Sequence, residues 1–116
     1  MLTKQELLIG TYRAFNARDI DTVLEAMHPD VNWPNGWEGG RVLGHQGVRD
    51  YWTRQWAEID PRVEPVGFAT DEQGHIIVKV HQVVRELEGN VIAEGMVEHI
   101  YLIEGGLIIS MKIKKP

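Results

Sequence analysis

From Val63 to Lys114 the chain is a succession of strand-like runs joined by turns too short to hold anything else. The runs are Val63 to Thr70, Ile76 to Leu87, Val91 to Ile103 and Leu107 to Lys114, and they are rich in valine and isoleucine. The turns are Asp71-Glu-Gln-Gly74, Glu88-Gly-Asn90 and Glu104-Gly-Gly106. Strands joined by such turns fold back as an antiparallel meander. The long strands carry apolar residues at both parities: Ile76, Val78, Val80 and Val84 on one face, Ile77 and Val83 on the other. A sheet wetted on one side alternates more cleanly. Both faces are therefore expected to be covered, one by helices and the other by a second subunit in a homodimer.

The helices come first. Thr3 and Glu6 form a capping-box pattern, and Leu8, Tyr12 and Phe15 make an apolar stripe, which predicts a helix from Lys4 to Ala17. Asp19 or Asp21 caps a second, shorter helix with Ile20, Val23, Leu24 and Met27 on its buried side, stopped by Pro29. Val31 to Trp33 reads as a short strand that Pro34 ends, and residues 34–44 read as a loop. A third helix is predicted from Gln46 to Ile59, closed by Asp60-Pro61. Helices followed by strands give an α+β class, and 116 residues fit one domain, 1–116.

Composition removes several functions. The net charge of −5 disfavours a nucleic-acid partner. With no cysteine, disulfides, thiolate nucleophiles and sulfur-bound zinc are excluded. Histidine spacings of zinc-enzyme type are absent, and no metal or other cofactor is expected. Ser110 is the one serine and lacks a nucleophile motif. No apolar run approaches the roughly 18 residues of a membrane helix, so no membrane partner is expected. MLTKQELLIG lacks the apolar core of a signal peptide, and the cytoplasm is the expected location.

All four tryptophans and five glycines fall between Val31 and Trp56. A strand, a glycine-rich loop and an aromatic helix of this kind build one wall of a cavity. Tyr12, Trp33, Trp52 and Trp56 are candidates to line it for a flat apolar ligand, although plain core packing is the better explanation for at least two of them. Asn35 either orients a ligand carbonyl or simply makes a turn with Gly36. Trp37, Arg41 and His45 belong to the loop at the mouth, with His45 also placed to cap the third helix. His28, His75 and His99 are read as surface or interface residues.

Tyr12-Arg-Ala-Phe-Asn-Ala-Arg-Asp19, Met27-His-Pro-Asp-Val31, Gly44-His-Gln-Gly-Val-Arg-Asp-Tyr-Trp52 and Val97-Glu-His-Ile-Tyr-Leu-Ile-Glu-Gly-Gly106 followed by Leu107-Ile-Ile-Ser-Met111 stand in a telling order. Together they resemble the NTF2-like superfamily, in particular its SnoaL-like and ketosteroid-isomerase branches. The resemblance implies a cone in which three helices pack on a curved, mainly antiparallel sheet around a pocket, and a dimer packed sheet on sheet. It aligns Glu98, followed by His99, with the isomerases' acidic hydrogen-bond donor. It aligns Asn35 with their general-base aspartate, where an amide takes up no proton, and Thr11 with their helical tyrosine, leaving Tyr12 one position out. It also places His81, Val83 and Arg85 inward beside Glu98.

On that alignment Glu98 and His81 form a catalytic acid–base pair and Arg85 an anion clamp. The alternative is an ion-pair network, or the opposite register with all three turned out. The expected function is small-molecule binding of the SnoaL-like kind, with isomerase, cyclase or hydrolase action on an apolar or carbonyl-containing ligand. The alternative is a non-catalytic dimeric ligand-binding or interaction module.

Overall fold

A computed structural model describes residues 2–115. The chain runs through α1 (Lys4–Asn16), α2 (Ile20–Glu25), β1 (Met27–Pro34), β2 (Arg41–Leu43), α3 (Gly44–Glu58), β3 (Ile59–Thr70), β4 (Ile76–Glu86), β5 (Val91–Glu104) and β6 (Leu107–Lys114). The capping box forms as expected: Thr3 accepts from the amide of Glu6 while Glu6 accepts from the amide of Thr3. Asp19 caps α2 through the amide of Thr22. Between these helices Arg18 adopts a positive φ of 63° and donates to the carbonyls of Phe15 and Pro61.

One six-stranded sheet has the order β2-β1-β6-β5-β4-β3. Strands β3 to β6 form the antiparallel meander, and β1 joins its far edge parallel to β6. The sheet departs from the sequence reading in three places, each with a physical reason. Strand β3 begins at Ile59 and runs through Pro61 and Pro65 because it is an edge strand, where a missing amide costs no ladder bond. Strand β1 begins at Met27, and its pairing with β6 shifts between Met27 and Asn32, which accommodates Pro29. The three residues of β2 form inside the expected loop by pairing with Asn32 to Pro34. Gly44 follows with φ of 73°, and an added Cβ there would stand 3.2 Å from the carbonyl oxygen of Pro29.

Helices α1, α2 and α3 cover one face of the curved sheet. Leu8, Val23, Val31, Val48, Val78, Val80 and Ile108 are fully buried between the layers. Among the described residues no helix is long and apolar enough to cross a membrane.

Register decides which polar residues face inward. Val78 pairs with His99, Val80 with Val97 and Ile76 with Tyr101, and this set faces the helices. Lys79 pairs with Glu98 and His81 with Met96 on the opposite face. The inward orientation expected for Glu98, His81, Val83 and Arg85 is therefore reversed. Side chains alternate along a strand, so bringing Glu98 inside would turn Tyr101 and His99 out, and these are only 1% and 6% exposed.

Candidate functional site

The helices and the concave face of the sheet enclose a cavity of about 1130 Å³. One wall is aromatic. Trp33 of β1 meets Trp52 of α3 edge-on at 5.8 Å, and Phe15 of α1 meets Trp52 at 5.1 Å. All three rings line the cavity. Trp56 does not. It stacks behind Trp52 at 5.6 Å, and the guanidinium of Arg18 lies 4.9 Å from its ring centroid. Trp56 thus buttresses the wall, with its indole nitrogen buried and without a hydrogen-bond partner.

Tyr12, His99 and Tyr101 also line the cavity, and they form a hydrogen-bond chain. The hydroxyls of Tyr101 and Tyr12 are 2.8 Å apart, and that of Tyr12 is 2.8 Å from Nδ1 of His99. The direction of the chain follows from burial. Tyr101 is 1% exposed, and the Tyr12 oxygen is the hydrogen-bond partner found for its hydroxyl. Tyr101 therefore donates to Tyr12, which leaves the Tyr12 proton to be donated to Nδ1. His99 is then the tautomer with its proton on Nε2, a nitrogen with no partner among the described residues. Burial lowers the pKa of His99 to about 4, so the ring is neutral at physiological pH. Burial likewise raises Tyr12 and Tyr101 above the usual tyrosine range and keeps both hydroxyls protonated.

The glycine-rich loop closes another side. Oδ1 of Asn35 accepts from the amides of Glu38, at 2.7 Å, and Trp37, at 3.3 Å, while Nδ2 donates to Glu38 at 2.9 Å. Asn35 thus lines the cavity but spends its side chain on the turn. Arg54 of α3 bonds Glu38 at 2.9 Å and, ahead of the Asn35 contact, lowers its pKa. His45 lies 2.9 Å from the carbonyl of Met27, tying the start of α3 to β1. At the opening stand Arg41 and Lys115, and no aspartate or glutamate lines the cavity.

The residues chosen from sequence thus fall into two groups. Tyr12, Trp33, Asn35 and Trp52 lie on the cavity wall. Glu98, His81, Arg85 and Trp56 do not. Nε2 of His81 pairs with Glu94 at 2.8 Å on the outer face, Glu98 sits in register between Lys79 and Lys114, and Arg85 sits opposite Asp60. His99, expected at the surface or an interface, is buried in the cavity wall with Thr11, Tyr51 and Tyr101. The spacing of Val97, Tyr101 and Ile103 was a signal for this. Ile100 and Leu102 gave the opposite one. Among the described residues no three histidine or acidic groups gather to hold a metal ion.

A sequence model of the SnoaL-like domain matches residues 9–111. The chain belongs to the SnoaL-like family, within the NTF2-like superfamily. No curated protein sequence matches it. Solved structures of the same SnoaL-like architecture include TerC co-crystallised with polyporic acid, at 27% identity and a TM-score of 0.83 over 97% of this chain and 90% of that one. An NTF2-like protein of unknown function from Burkholderia pseudomallei is 24% identical, with a TM-score of 0.84 over 100% of this chain and 92% of that one. RV0760c from Mycobacterium tuberculosis, in complex with estradiol-17beta-hemisuccinate, is 18% identical with a TM-score of 0.78 over 92% and 88%. The two with lower identity match this SnoaL-like chain in fold.

Proposed function

We propose that this SnoaL-like domain binds a flat, largely apolar small molecule and holds it by an acceptor oxygen, with isomerase, cyclase or hydrolase chemistry next to that oxygen. The observation that carries this is the neutral His99, whose Nε2–H is aimed by the Tyr101–Tyr12 chain and has no partner among the described residues. A fixed, desolvated donor stabilises an oxygen that gains negative charge more than it stabilises the starting carbonyl. Trp33, Trp52 and Tyr12 offer ring surface for a planar ligand. TerC, 27% identical and co-crystallised with polyporic acid, supports a small-molecule ligand. One observation favours a second reading, the non-catalytic dimeric module: among the described residues no aspartate or glutamate lines the cavity to serve as general base.

The test is a titration followed by tryptophan fluorescence, since Trp33, Trp37 and Trp52 all line the cavity. Polyporic acid is the first probe. His99→Phe keeps a ring and removes the donor, so affinity should fall roughly tenfold, the worth of one good hydrogen bond to an oxygen carrying charge. An unchanged affinity would overturn the role of His99, and mass analysis of the incubated probe separates turnover from binding alone.

The homodimer is proposed through the outer sheet face, where Ile77, Val83, Ile100 and Leu102 are half-buried and Met96 is 42% exposed. A clean monomer in sedimentation at micromolar concentration would sink it.

A further inference from the structure

We infer that the cavity selects an anion: an aromatic or fused-ring acid whose rings lie against Trp33 and Trp52 and whose acid group sits at the opening beside Arg41 and Lys115. The inference rests on the ring-binding function proposed above and adds the charge of the ligand. Aspartate and glutamate outnumber lysine and arginine by 17 to 12 in the chain, so an unselected lining would carry more acids than bases. The lining has Arg41 and Lys115 and no aspartate or glutamate, while Lys112 turns its side chain to the outer face with Ile100.

Arg41 is the informative residue. Its Nε donates to Oδ1 of Asn32 at 2.6 Å, and its Nη2 donates to the carbonyls of Asn32, at 3.0 Å, and Met111, at 2.7 Å. Every acceptor is a neutral oxygen. Arg18, Arg49, Arg54 and Arg62 each pair with a carboxylate, whereas Arg41, like Arg13 and Arg85, has no such ion pair among the described residues. The side chain is therefore held in place while its charge stays uncompensated, and partial burial pushes its pKa down from the usual arginine value. A staple between neutral oxygens does not need a full positive charge. A binding site for an anion does, and a guanidinium already fixed by other bonds loses little freedom on meeting it. Strand β6 links the two ends of the site. Met111, whose carbonyl holds Arg41, pairs with Tyr101, and Ile113 pairs with His99. An acid at the opening and an acceptor oxygen at His99 are thus two points of one ligand. With no aspartate or glutamate among the described lining residues, no acidic side chain there repels such an anion.

Two matched dyes test the inference. 8-Anilinonaphthalene-1-sulfonate and N-phenyl-1-naphthylamine share one ring frame and differ by the sulfonate. Both brighten in an apolar site, and excitation through tryptophan reports binding near Trp33 and Trp52. Raising salt from about 0.05 to about 0.5 M should weaken the sulfonate dye and leave the neutral dye within twofold. Arg41→Gln should cost the sulfonate dye roughly fivefold or more in affinity, with the neutral dye within twofold. Arg41→Lys should recover much of the loss. Lys115→Gln alters only an exposed residue and should shift the ratio the same way, whereas Lys112→Gln, on the outer face opposite Ile100, should leave it unchanged. Equal losses for both dyes, or no change for either, would overturn anion selection and leave ring binding standing. Failure of both dyes to bind the wild-type protein would overturn ring binding itself, and anion selection with it.

Discussion

The Tyr12 hydroxyl lies 2.8 Å from Nδ1 of His99, and the two rings stack at 5.8 Å with 16° between their planes. Residues 87 positions apart in sequence thus share one proton. The first helix sets the tautomer of a histidine on the fifth strand, and with it the nitrogen that presents a proton to the cavity.

Removing either tyrosine hydroxyl should destabilise the fold, but unequally. Tyr101→Phe deletes one donor and leaves Tyr12 bonded to His99, at a cost of about 1 kcal/mol. Tyr12→Phe leaves both the Tyr101 hydroxyl and Nδ1 of His99 buried without partners, at a cost of roughly 2–4 kcal/mol. Urea unfolding of both variants checks the order, and the reverse order would contradict the chain as described.

Stability should fall with acid in a window set by His99. Its pKa is about 4 when folded against 6.5 as the ordinary value, so between these the unfolded state binds the extra proton. The contribution is whole above pH 6.5, declines as pH falls towards 4, and amounts to about 3 kcal/mol over those 2.5 units. Urea midpoints at intervals across that range, in wild type and His99→Phe, should show this slope in the wild type and its loss in the variant.

Glu98→Gln should leave ligand affinity within twofold, because Glu98 stands across from Lys79 and Lys114 and outside the cavity. A large loss of binding in a fluorescence titration would return Glu98 to the site. For the same reason, the chain should shift no steroid enone double bond at the rate of the isomerase branch. The base position holds Asn35, and no carboxylate lines the cavity.

Arg54→Ala should leave the urea midpoint close to that of the wild type, since the Arg54–Glu38 pair is exposed to solvent that screens it. Its effect should appear in the loop it anchors. Amide exchange at Trp37 and Gly39 should quicken and ligand dissociation with it, measured by hydrogen exchange and stopped-flow fluorescence.

Much of the fold was legible because local signals agreed. Thr3 with Glu6, Asp19, the glycine turns and the β-branched runs each point to one structure, and the structure uses each of them. The aromatic wall was legible for a similar reason, since Trp33 and Trp52 have few other places to go. The polar part of the site was not. Strand β5 carries apolar residues at both parities, so its pattern does not say whether Glu98 or His99 turns inward. That choice comes from packing, in which Val78, Val80 and Tyr101 must share one side. Likewise β2 has no strand signal of its own and exists because Asn32 to Pro34 lie beside it. Trp56 looks the same as Trp52 in sequence, and only Arg18, folded over its ring, marks it as support.

Strand β6 lies between β1 and β5, and the amide of Ile108 bonds the carbonyl of Ala26 at 2.8 Å. The helical half and the meander half of the sheet therefore meet through a segment at the far end of the chain. Contacts of such long sequence separation form late, after the entropy of the intervening loop has been overcome. During synthesis α1 to α3 leave the ribosome well before Leu107–Lys114, the strand that joins the two halves, has been made. The cavity, which Met111 and Ile113 of that strand help to line, is incomplete until then, with the faces of Trp33 and Trp52 left bare.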